Sequence, residues 1–438
     1  MKPFLTSGFS FGGPLEAILD PKLLPEIPCA PRFDGLQDSS SSDAYFMNEA
    51  LLESLKSVGI CNPNPAVGCI LLNSKGHEVS RGFTQAYRGF HAERCALAQL
   101  KNPKEVEGGT AYVTLEPCSH QGHQPPCVDQ LIEAGIRRVV IARQDPNPMV
   151  CGAGIKRLQS AGVTVVLGVR QAEATAWNFP FLAHQHLKRP VFILKWAQSL
   201  DGQLADDSGQ SQWITQAAAR SYTHWLRQKY DAILVGAQTV LSDHPSLTVR
   251  DCALPHQAQP IPMVFDPRGL LFRIQEKQRL QLETQLFAPA RPILLLTSRA
   301  AAKAQKSSWL NRLENVTVMP LKSFHPEGIN AMIQTDHEWI QELTEALMSP
   351  RIMSQLKKPI QSVLVEGGAK TLRLFLQADC ADLLHVFVAP ILLGGQKNRI
   401  HLMRSLKQAQ KFELISTHRL GSDTVLELIH PQHTHLFK

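Results

Sequence analysis

Short apolar runs of strand length alternate with helical patterns along almost the whole chain, and no other feature constrains the fold as tightly. A helix starts near Ser42 or Asp43, either of which can cap it, and Phe46, Met47, Ala50, Leu51 and Leu55 follow at helical spacing. Strands are expected at Val67–Leu72, Ala111–Leu115, Val139–Ala142 and Val163–Leu167, with helices over His91–Leu100, Cys127–Ala134 and Ile155–Ser160 between them. This series closes near Lys188-Arg189-Pro190. A second series opens with a strand at Val191–Leu194 and a helix, capped by Thr215, that runs to about Tyr230. Further strands follow at Ala232–Val235, Met263–Phe265, Ile293–Leu296 and Val363–Val365, the last leading into a helix over Thr371–Leu376. The polar, Gln-rich stretch Phe272–Ala290 reads as a surface excursion.

Such alternation is the pattern of an α/β layer fold, and 438 residues are too many for one ordinary core. Without an internal repeat the two series read as two different domains, residues 43–188 and 189–438. Residues 1–42 are rich in Pro, Gly and Ser and end in four serines; such a composition buries little apolar surface, so a flexible extension is expected. No apolar run reaches the roughly 18 residues that span a bilayer. The first residues lack the compact apolar stretch of a signal peptide. Nine cysteines, an odd count at irregular spacings, fit a reducing compartment, and the cytoplasm is the expected location. The formal charge of +7 is spread along the chain, which suits a small phosphorylated substrate and does not by itself point to nucleic acid or to a membrane.

His91-Ala92-Glu93 opens one predicted helix, and the strand after it leads into Glu116-Pro117-Cys118, with Pro125-Pro126-Cys127 beyond. One His and two Cys can supply three protein ligands to one Zn²⁺ per chain and leave the fourth tetrahedral position to water, whose pKa the metal lowers to roughly 7. His120 and His123, in the same loop, compete as ligands. Glu93, two residues from His91, can move protons between water, a ring nitrogen and a leaving amine. His-Ala-Glu followed by a strand and Pro-Cys is the pattern of zinc-dependent deaminases. Nucleic-acid and nucleoside deaminases carry two residues between the cysteines, and here eight intervene.

In the second half no Gly-x-Gly-x-x-Gly follows a strand, so an ordinary Rossmann domain is not indicated. A strand–Gly367-Gly368–helix junction instead lets backbone N–H groups approach a phosphate at a helix N-terminus. Arg227 and Arg250 can hold a second phosphate.

The long cysteine gap, Asn62-Pro63-Asn64-Pro65-Ala66-Val67-Gly68 upstream, and Gln144-Asp145-Pro146-Asn147-Pro148 with Gly152-Ala153-Gly154 downstream resemble the deaminase of riboflavin biosynthesis. Lys195-Trp196-Ala197-Gln198-Ser199-Leu200-Asp201-Gly202, Ser211-Gln212-Trp213-Ile214-Thr215, Val235–Asp243, Pro245–Arg250 and Val365–Thr371 resemble the reductase of the same pathway. The chain from about Asp43 to its end is similar to the bifunctional deaminase–reductase family. That resemblance implies a cytidine-deaminase-like α/β/α domain with zinc and a dihydrofolate-reductase-like α/β domain. It implies hydrolytic loss of ammonia from a diaminopyrimidinone carrying a ribosylamino 5-phosphate, then NADPH-dependent opening of the ribosyl to a ribityl chain. The implied zinc ligands are His91, Cys118 and Cys127, with Glu93 catalytic and Asn64 in the substrate pocket. The implied cofactor set is Ala197, Trp213, Thr239, Asp243 and the stretch Gly368, Ala369, Lys370, Thr371, Leu372, Arg373 and Leu374. The implied substrate set of the reductase is Ser211, Arg227, Leu247, Arg250 and Glu366, and Lys195 is a further candidate for contact with the sugar. A homo-oligomer is the expected assembly.

The chain departs from the family pattern at Thr84, where relatives carry His, at Arg88-Gly89-Phe90 ahead of the zinc His, at Arg94, at His123 and Gln124 in the loop, and at His244. These departures predict a deaminase limited by substrate binding, with Arg88 or His123 recovering part of the loss by reaching the phosphate. Two alternatives remain: a reductase whose zinc domain is only a scaffold, and a nucleic-acid base deaminase with a fused binding module.

Overall fold

The computed structural model describes residues 42–437 except 122–123, 148–150, 251–257, 289–290, 305–307, 326, 329–331, 333–337, 396 and 403–405. The proposed N-terminal extension, apart from Ser42, and the loop residue His123 therefore lie outside the described residues.

The first half is a five-stranded sheet. Its strands are β1 (Gly68–Leu72), β2 (Glu78–Phe83), β3 (Thr110–Val113), β4 (Arg138–Ile141) and β5 (Thr164–Leu167), in the order β2-β1-β3-β4-β5. β1 runs antiparallel to both β2 and β3, and β3, β4 and β5 are parallel. Parallel neighbours need a crossover, and helices α1 (Ser42–Ser54), α2 (Ala92–Ala98), α3 (Cys127–Glu133) and α4 (Ala153–Ser160) cover the faces. β1 is apolar and buried throughout, as a strand covered on both faces must be. β2 lies at the sheet edge, alternates in burial and carries Glu78, Ser80 and Arg81; that polarity hid it from the apolar-run reading.

A 17-residue helix, α5 (Gln171–Leu187), joins the halves. It bends at Asn178, which has non-helical torsions (φ −94°, ψ 15°) two residues before Pro180. Trp177 on this helix lies 6.0 Å from Trp225 of the second half, and Phe179 lies 6.4 Å from Phe437 at the C-terminus. One apolar cluster runs without interruption from Cys69 and Val113 of the first sheet through Trp177 and Leu182 to Tyr222 and Trp225.

The second half is a nine-stranded sheet of β6 (Val191–Ser199), β7 (Ala232–Gly236), β8 (Ile261–Asp266), β9 (Ile293–Ser298), β10 (Val316–Leu321), β11 (Ser362–Val365), β12 (Leu383–Ala389), β13 (Glu413–Leu420) and β14 (Asp423–Ile429). The order is β10-β9-β8-β7-β11-β6-β12-β14-β13, parallel from β10 to β12 and antiparallel at β14 and β13. Helices α6 (Ala217–Lys229), α7 (Ala237–Asp243), α8 (Glu276–Gln285), α9 (Arg299–Ala304), α10 (Glu338–Leu347), α11 (Pro350–Leu356) and α12 (Ala369–Gln377) accompany it. Among the described residues no helix is long and apolar enough to cross a membrane.

Three local expectations are corrected. Thr215 does not cap α6: the cap position is Gln216, whose N–H donates to the Asp423 carboxylate at 2.7 Å, so a strand distant in sequence supplies the cap. Asp43 lies inside the first turn of α1, and its carboxylate takes a two-pronged ion pair from Arg138 (2.6 and 2.8 Å) and the Tyr112 hydroxyl at 2.8 Å. The Gln-rich stretch is not a mere surface excursion: α8 buries Leu282, and Leu286 and Phe287 follow it into a core cluster with Phe272 and Trp309. Widely spaced apolar residues among many polar ones sufficed to anchor that helix.

Candidate active sites

His91 occupies the N-cap position of α2 with extended torsions and makes no side-chain cap bond, which leaves its imidazole free to turn away from the helix. Cys118 follows β3 in a loop, and Cys127 is the first residue of α3. The His91 Nδ1 lies 3.6 Å from the Cys118 sulfur and 3.4 Å from that of Cys127, and the three donor atoms fall within 4.8 Å of one another. A tetrahedral zinc with bonds of about 2.3 Å to sulfur and about 2.0 Å to nitrogen has S···N edges of about 3.5 Å. The donor set therefore fits zinc in both chemistry and spacing. His120, which competes as a ligand by sequence, is exposed, and the cluster found among the described residues contains only His91, Cys118 and Cys127.

The electrostatics suit metal ligation. A hydrogen bond from Cys127 holds the Cys118 thiol far below its ordinary value, while the same contact and burial push Cys127 up. The hydrogen bond with Cys118 raises His91 against the opposing effect of burial. Glu93 is 4 % exposed; burial raises its carboxyl above the usual range, and the Cys118 charge adds to the effect.

His91, Glu93 and Cys118 open onto a cavity of about 360 Å³, lined also by Asn64, Thr84, Arg88, Asp145 and Gln361. Its volume falls in the range of small-molecule sites. Burial lifts the Asp145 carboxyl to about 6. Glu116, quoted in the sequence motif without a role, holds the framework together. Its two oxygens accept the backbone N–H groups of Asp145, Gly152, Gly154 and Ile155 at 3.0–3.3 Å and so tie the exit of β3 to the start of α4. A Cβ at Gly154 would sit 2.3 Å from the Pro117 carbonyl, so this close approach needs glycine.

Five of the departures from the family pattern, Arg88, Gly89, Phe90, Arg94 and Gln124, form one connected unit. Arg94 lies over the Phe90 ring at 4.3 Å and donates to Gln124 Oε1 at 3.2 Å. Gln124 Nε2 in turn donates to the Gly89 carbonyl at 2.5 Å and reaches the Arg88 carbonyl at 3.5 Å. Thr84 is buried, and its hydroxyl accepts the Val67 N–H at 3.3 Å.

In the second half Arg227 and Glu366 meet in a two-pronged ion pair, both bonds 2.9 Å, and Arg227 also donates to the Thr248 carbonyl at 3.3 Å. The Lys195 ammonium lies 4.8 Å from the centre of the Phe387 ring; burial lowers its pKa, and the Glu366 charge opposes this. Arg250 is exposed and donates to Ser246 Oγ at 2.7 Å. The Leu247 side chain is core-packed with a positive φ of 50°, and Arg291 donates to its carbonyl at 2.7 Å; sequence reasoning passed over this support for the 245–250 loop.

At the β11–α12 junction the two glycines differ. A Cβ on Gly367 would meet Thr371 at 2.6 Å, so this residue is small for packing, whereas one on Gly368 would meet only Thr239, at 3.8 Å. The first-turn N–H groups of a helix lack intrahelical acceptors, so the open Gly368 face with Ala369 and Lys370 fits a phosphate-bearing cofactor. Thr239 and Asp243 lie on the neighbouring α7. Leu372 and Leu374 are fully buried in the core, and Arg373 between them is half-buried. Ala197 is half-buried on β6; Ser211 and Trp213 are exposed, and Arg220 lies over the Trp213 ring at 4.5 Å.

Comparison with known proteins agrees with this geometry. Residues 190–426 match the family described as RibD C-terminal domain, and residues 40–143 match the cytidine and deoxycytidylate deaminase zinc-binding region. The riboflavin biosynthesis protein RibD of Actinobacillus pleuropneumoniae is 33 % identical over 89 % of this chain and 95 % of its own length. That of Aquifex aeolicus is 35 % identical over 88 % and 97 %. A Thermotoga maritima crystal structure, a diaminohydroxyphosphoribosylaminopyrimidine deaminase/5-amino-6-(5-phosphoribosylamino)uracil reductase, superposes with a TM-score of 0.71 at 30 % identity, covering 89 % of this chain and 98 % of that one. The two sheets are thus a cytidine-deaminase-like domain and a dihydrofolate-reductase-like domain. With a zinc-type donor set at one site, a phosphate-ready helix terminus at the other and relatives matched along nearly their whole length, the chain belongs to the RibD family of bifunctional deaminase–reductases of riboflavin biosynthesis.

Proposed function

We propose that the two sites act in succession on one phosphorylated pyrimidine: loss of ammonia from 2,5-diamino-6-ribosylamino-4(3H)-pyrimidinone 5′-phosphate, then reduction of its ribosyl group to ribityl. The observation that carries the first step is Glu93, buried with a raised carboxyl pKa beside three donor atoms arranged for zinc. Zinc, when bound by His91, Cys118 and Cys127, supplies Lewis-acid activation of water at neutral pH. Glu93 takes a proton from the attacking water and delivers protons to the ring nitrogen and the departing amine. Asn64 contacts the pyrimidine, and Arg88 at the cavity rim reaches toward its phosphate.

In the second half NADPH supplies the hydride, so the protein's work is to orient two ligands. Gly368–Thr371 with Thr239 and Asp243 hold the cofactor phosphates, while Ala197 and Trp213 flank the remainder. Leu372, Arg373 and Leu374 contribute by anchoring the helix. Arg250 holds the substrate phosphate, with Ser211 and the backbone at Leu247 beside it; the Arg227–Glu366 pair and Lys195 face the sugar. We place the division of labour at residues 43–188 and 189–438, after an extension of residues 1–42. The enzyme works in the cytoplasm as a homo-oligomer, without nucleic acid.

Ammonia release and NADPH oxidation, followed separately, test this reading. Cys118→Ala with Cys127→Ala should abolish zinc binding. Glu93→Gln should keep zinc and lower ammonia release by about 10²–10⁴-fold. Arg250→Ala should raise the reductase KM for substrate and leave NADPH affinity unchanged. Full zinc in the double cysteine variant would overturn the metal site, and absence of ammonia release from the zinc-loaded wild-type protein would leave the first domain a scaffold.

A further inference from the structure

The 58–66 loop of the first half, which carries Asn64 into the zinc cavity, is held from one side by residues of the second half. Asn62 donates to the Asp231 carboxylate at 2.5 Å and to Gln361 Oε1 at 3.3 Å. Gln361 Nε2 donates to the Pro63 carbonyl at 3.2 Å. Asp231 precedes β7 and Gln361 precedes β11, and the two are locked together. The Asp231 carboxylate accepts the N–H groups of Gln361 and Ser362, both at 3.0 Å, and the Ser362 hydroxyl at 2.9 Å. Asp231 and Gln361 are 8 % and 7 % exposed. On the other side of the loop, Asn178 at the bend of α5 accepts the Ala66 N–H at 2.9 Å and donates to the Ala66 carbonyl at 3.0 Å. There is no slack at the loop's start either: a Cβ on Gly59 would meet the Gln228 carbonyl at 2.7 Å and the Ala258 Cβ at 2.6 Å.

Gln361 also lines the zinc cavity itself, although its amide is committed at both ends to the loop. We infer that Asp231 and Gln361, in the reductase half, are positioning residues of the deaminase reaction: they fix Asn64 at the pyrimidine through Asn62 and Pro63. The inference rests on the reading that Asn64 contacts the substrate. Buried hydrogen bonds to a committed acceptor hold a loop in one arrangement, and a loop released from them pays the ordering cost again on each binding event. The loss therefore falls on substrate affinity rather than on the proton transfers at Glu93.

The test uses the full-length, zinc-loaded enzyme with Gln361→Ala, Asn64→Ala and their combination, and Asn62→Ala as a second variant made from the loop side. Gln361→Ala and Asn62→Ala should each raise the deaminase KM about tenfold, the effect of roughly one hydrogen bond, with kcat within about twofold. Zinc content and the reductase kcat/KM should be unchanged, and Gln361→Ala should add nothing to Asn64→Ala. An unchanged deaminase KM in both Gln361→Ala and Asn62→Ala, alongside a raised KM in Asn64→Ala, would overturn the inference and leave the Asn64 contact standing. A silent Asn64→Ala would overturn that contact and the inference with it. Parallel loss of both activities, or of zinc, would reduce the two residues to a general structural role and overturn it as well.

Discussion

At the residue scale Glu116, outside the His91–Cys118–Cys127 donor set, braces the loop that carries Cys118. Glu116 turns four backbone N–H groups toward itself, and no intervening residue separates Pro117 from the ligand Cys118. Glu116→Gln would aim an amide N–H at donors that now meet a carboxylate oxygen. Outer groups of this kind typically change metal affinity by about 10–100-fold. The expected outcome is a zinc affinity lower by about tenfold in chelator competition, with Glu93 chemistry intact once zinc is saturating; unchanged affinity would confine Glu116 to folding. Thr84 and Arg88 both line the cavity but differ in what they leave free for a ligand. Thr84 spends its hydroxyl on the Val67 N–H, while Arg88 lines the cavity and lies over the Tyr87 ring at 5.5 Å. Arg88→Ala is expected to raise the deaminase KM for the phosphorylated pyrimidine by about tenfold, through loss of one charge-assisted bond. The dephosphorylated compound should show no such change, and an equal effect on both would place Arg88 away from the phosphate.

At the element scale α5 and α6 meet through aromatic rings that enclose a cation. The Lys229 ammonium lies 5.2 Å from the ring centres of both Trp177 and Trp225 and 5.9 Å from that of Tyr230. Burial holds its pKa down to about 8, against an ordinary value of 10.5. A base whose folded-state pKa is lowered costs stability wherever both states are protonated. That cost is full below pH 8 and disappears between pH 8 and 10.5, as the folded protein releases the proton first. Lys229→Met should therefore stabilise the protein at pH 7 by about 1–2 kcal/mol, a figure reduced for partial exposure and for the lost cation–ring attraction. Thermal melts of both proteins from pH 7 to 10 should converge as the pH rises, and a gap that widens would reverse the sign of this argument. The apolar runs made β1, β3 to β9 and β11 legible in the sequence: most are buried strands that must be apolar along their length, and the edge strand β5 keeps the run Val165-Val166-Leu167 although it is partly exposed. β2, β13 and β14 escaped that reading because one face of each is exposed or polar, and β10 and β12 because Thr317 and Pro320 in one and His385 in the other interrupt the apolar run.

At the scale of the whole molecule the two halves share one continuous apolar cluster. Cutting at Lys188, where the strand series divide, removes α5 from Trp225 and from the C-terminal turn that holds Leu436 and Phe437, although Trp225 and Leu436 are each only 4 % exposed. A second-half fragment beginning at Gln171 should therefore melt roughly 5–10 °C above one beginning at Lys188, given the large aromatic surface at stake. Equal melting temperatures would show that the second sheet closes its own core without the helix.

The sequence by itself determined what local chemistry can specify. Apolar periodicity specified the α/β layering, and His91, Glu93, Cys118 and Cys127 stood out because few residue types can bind zinc and move protons. The Gly367-Gly368 junction stood out as a strand–glycine–helix turn, and of its two glycines Gly367 has no room for a Cβ against Thr371. Only the tertiary structure decided the contacts between residues far apart in the chain: Asp423 capping α6, Asp231 and Gln361 gripping the Asn62–Ala66 loop, and Arg94 joined to Gln124. The physical reason is that a buried polar group must find a partner, and which partner lies within 3 Å follows from how the sheets pack, not from spacing along the chain.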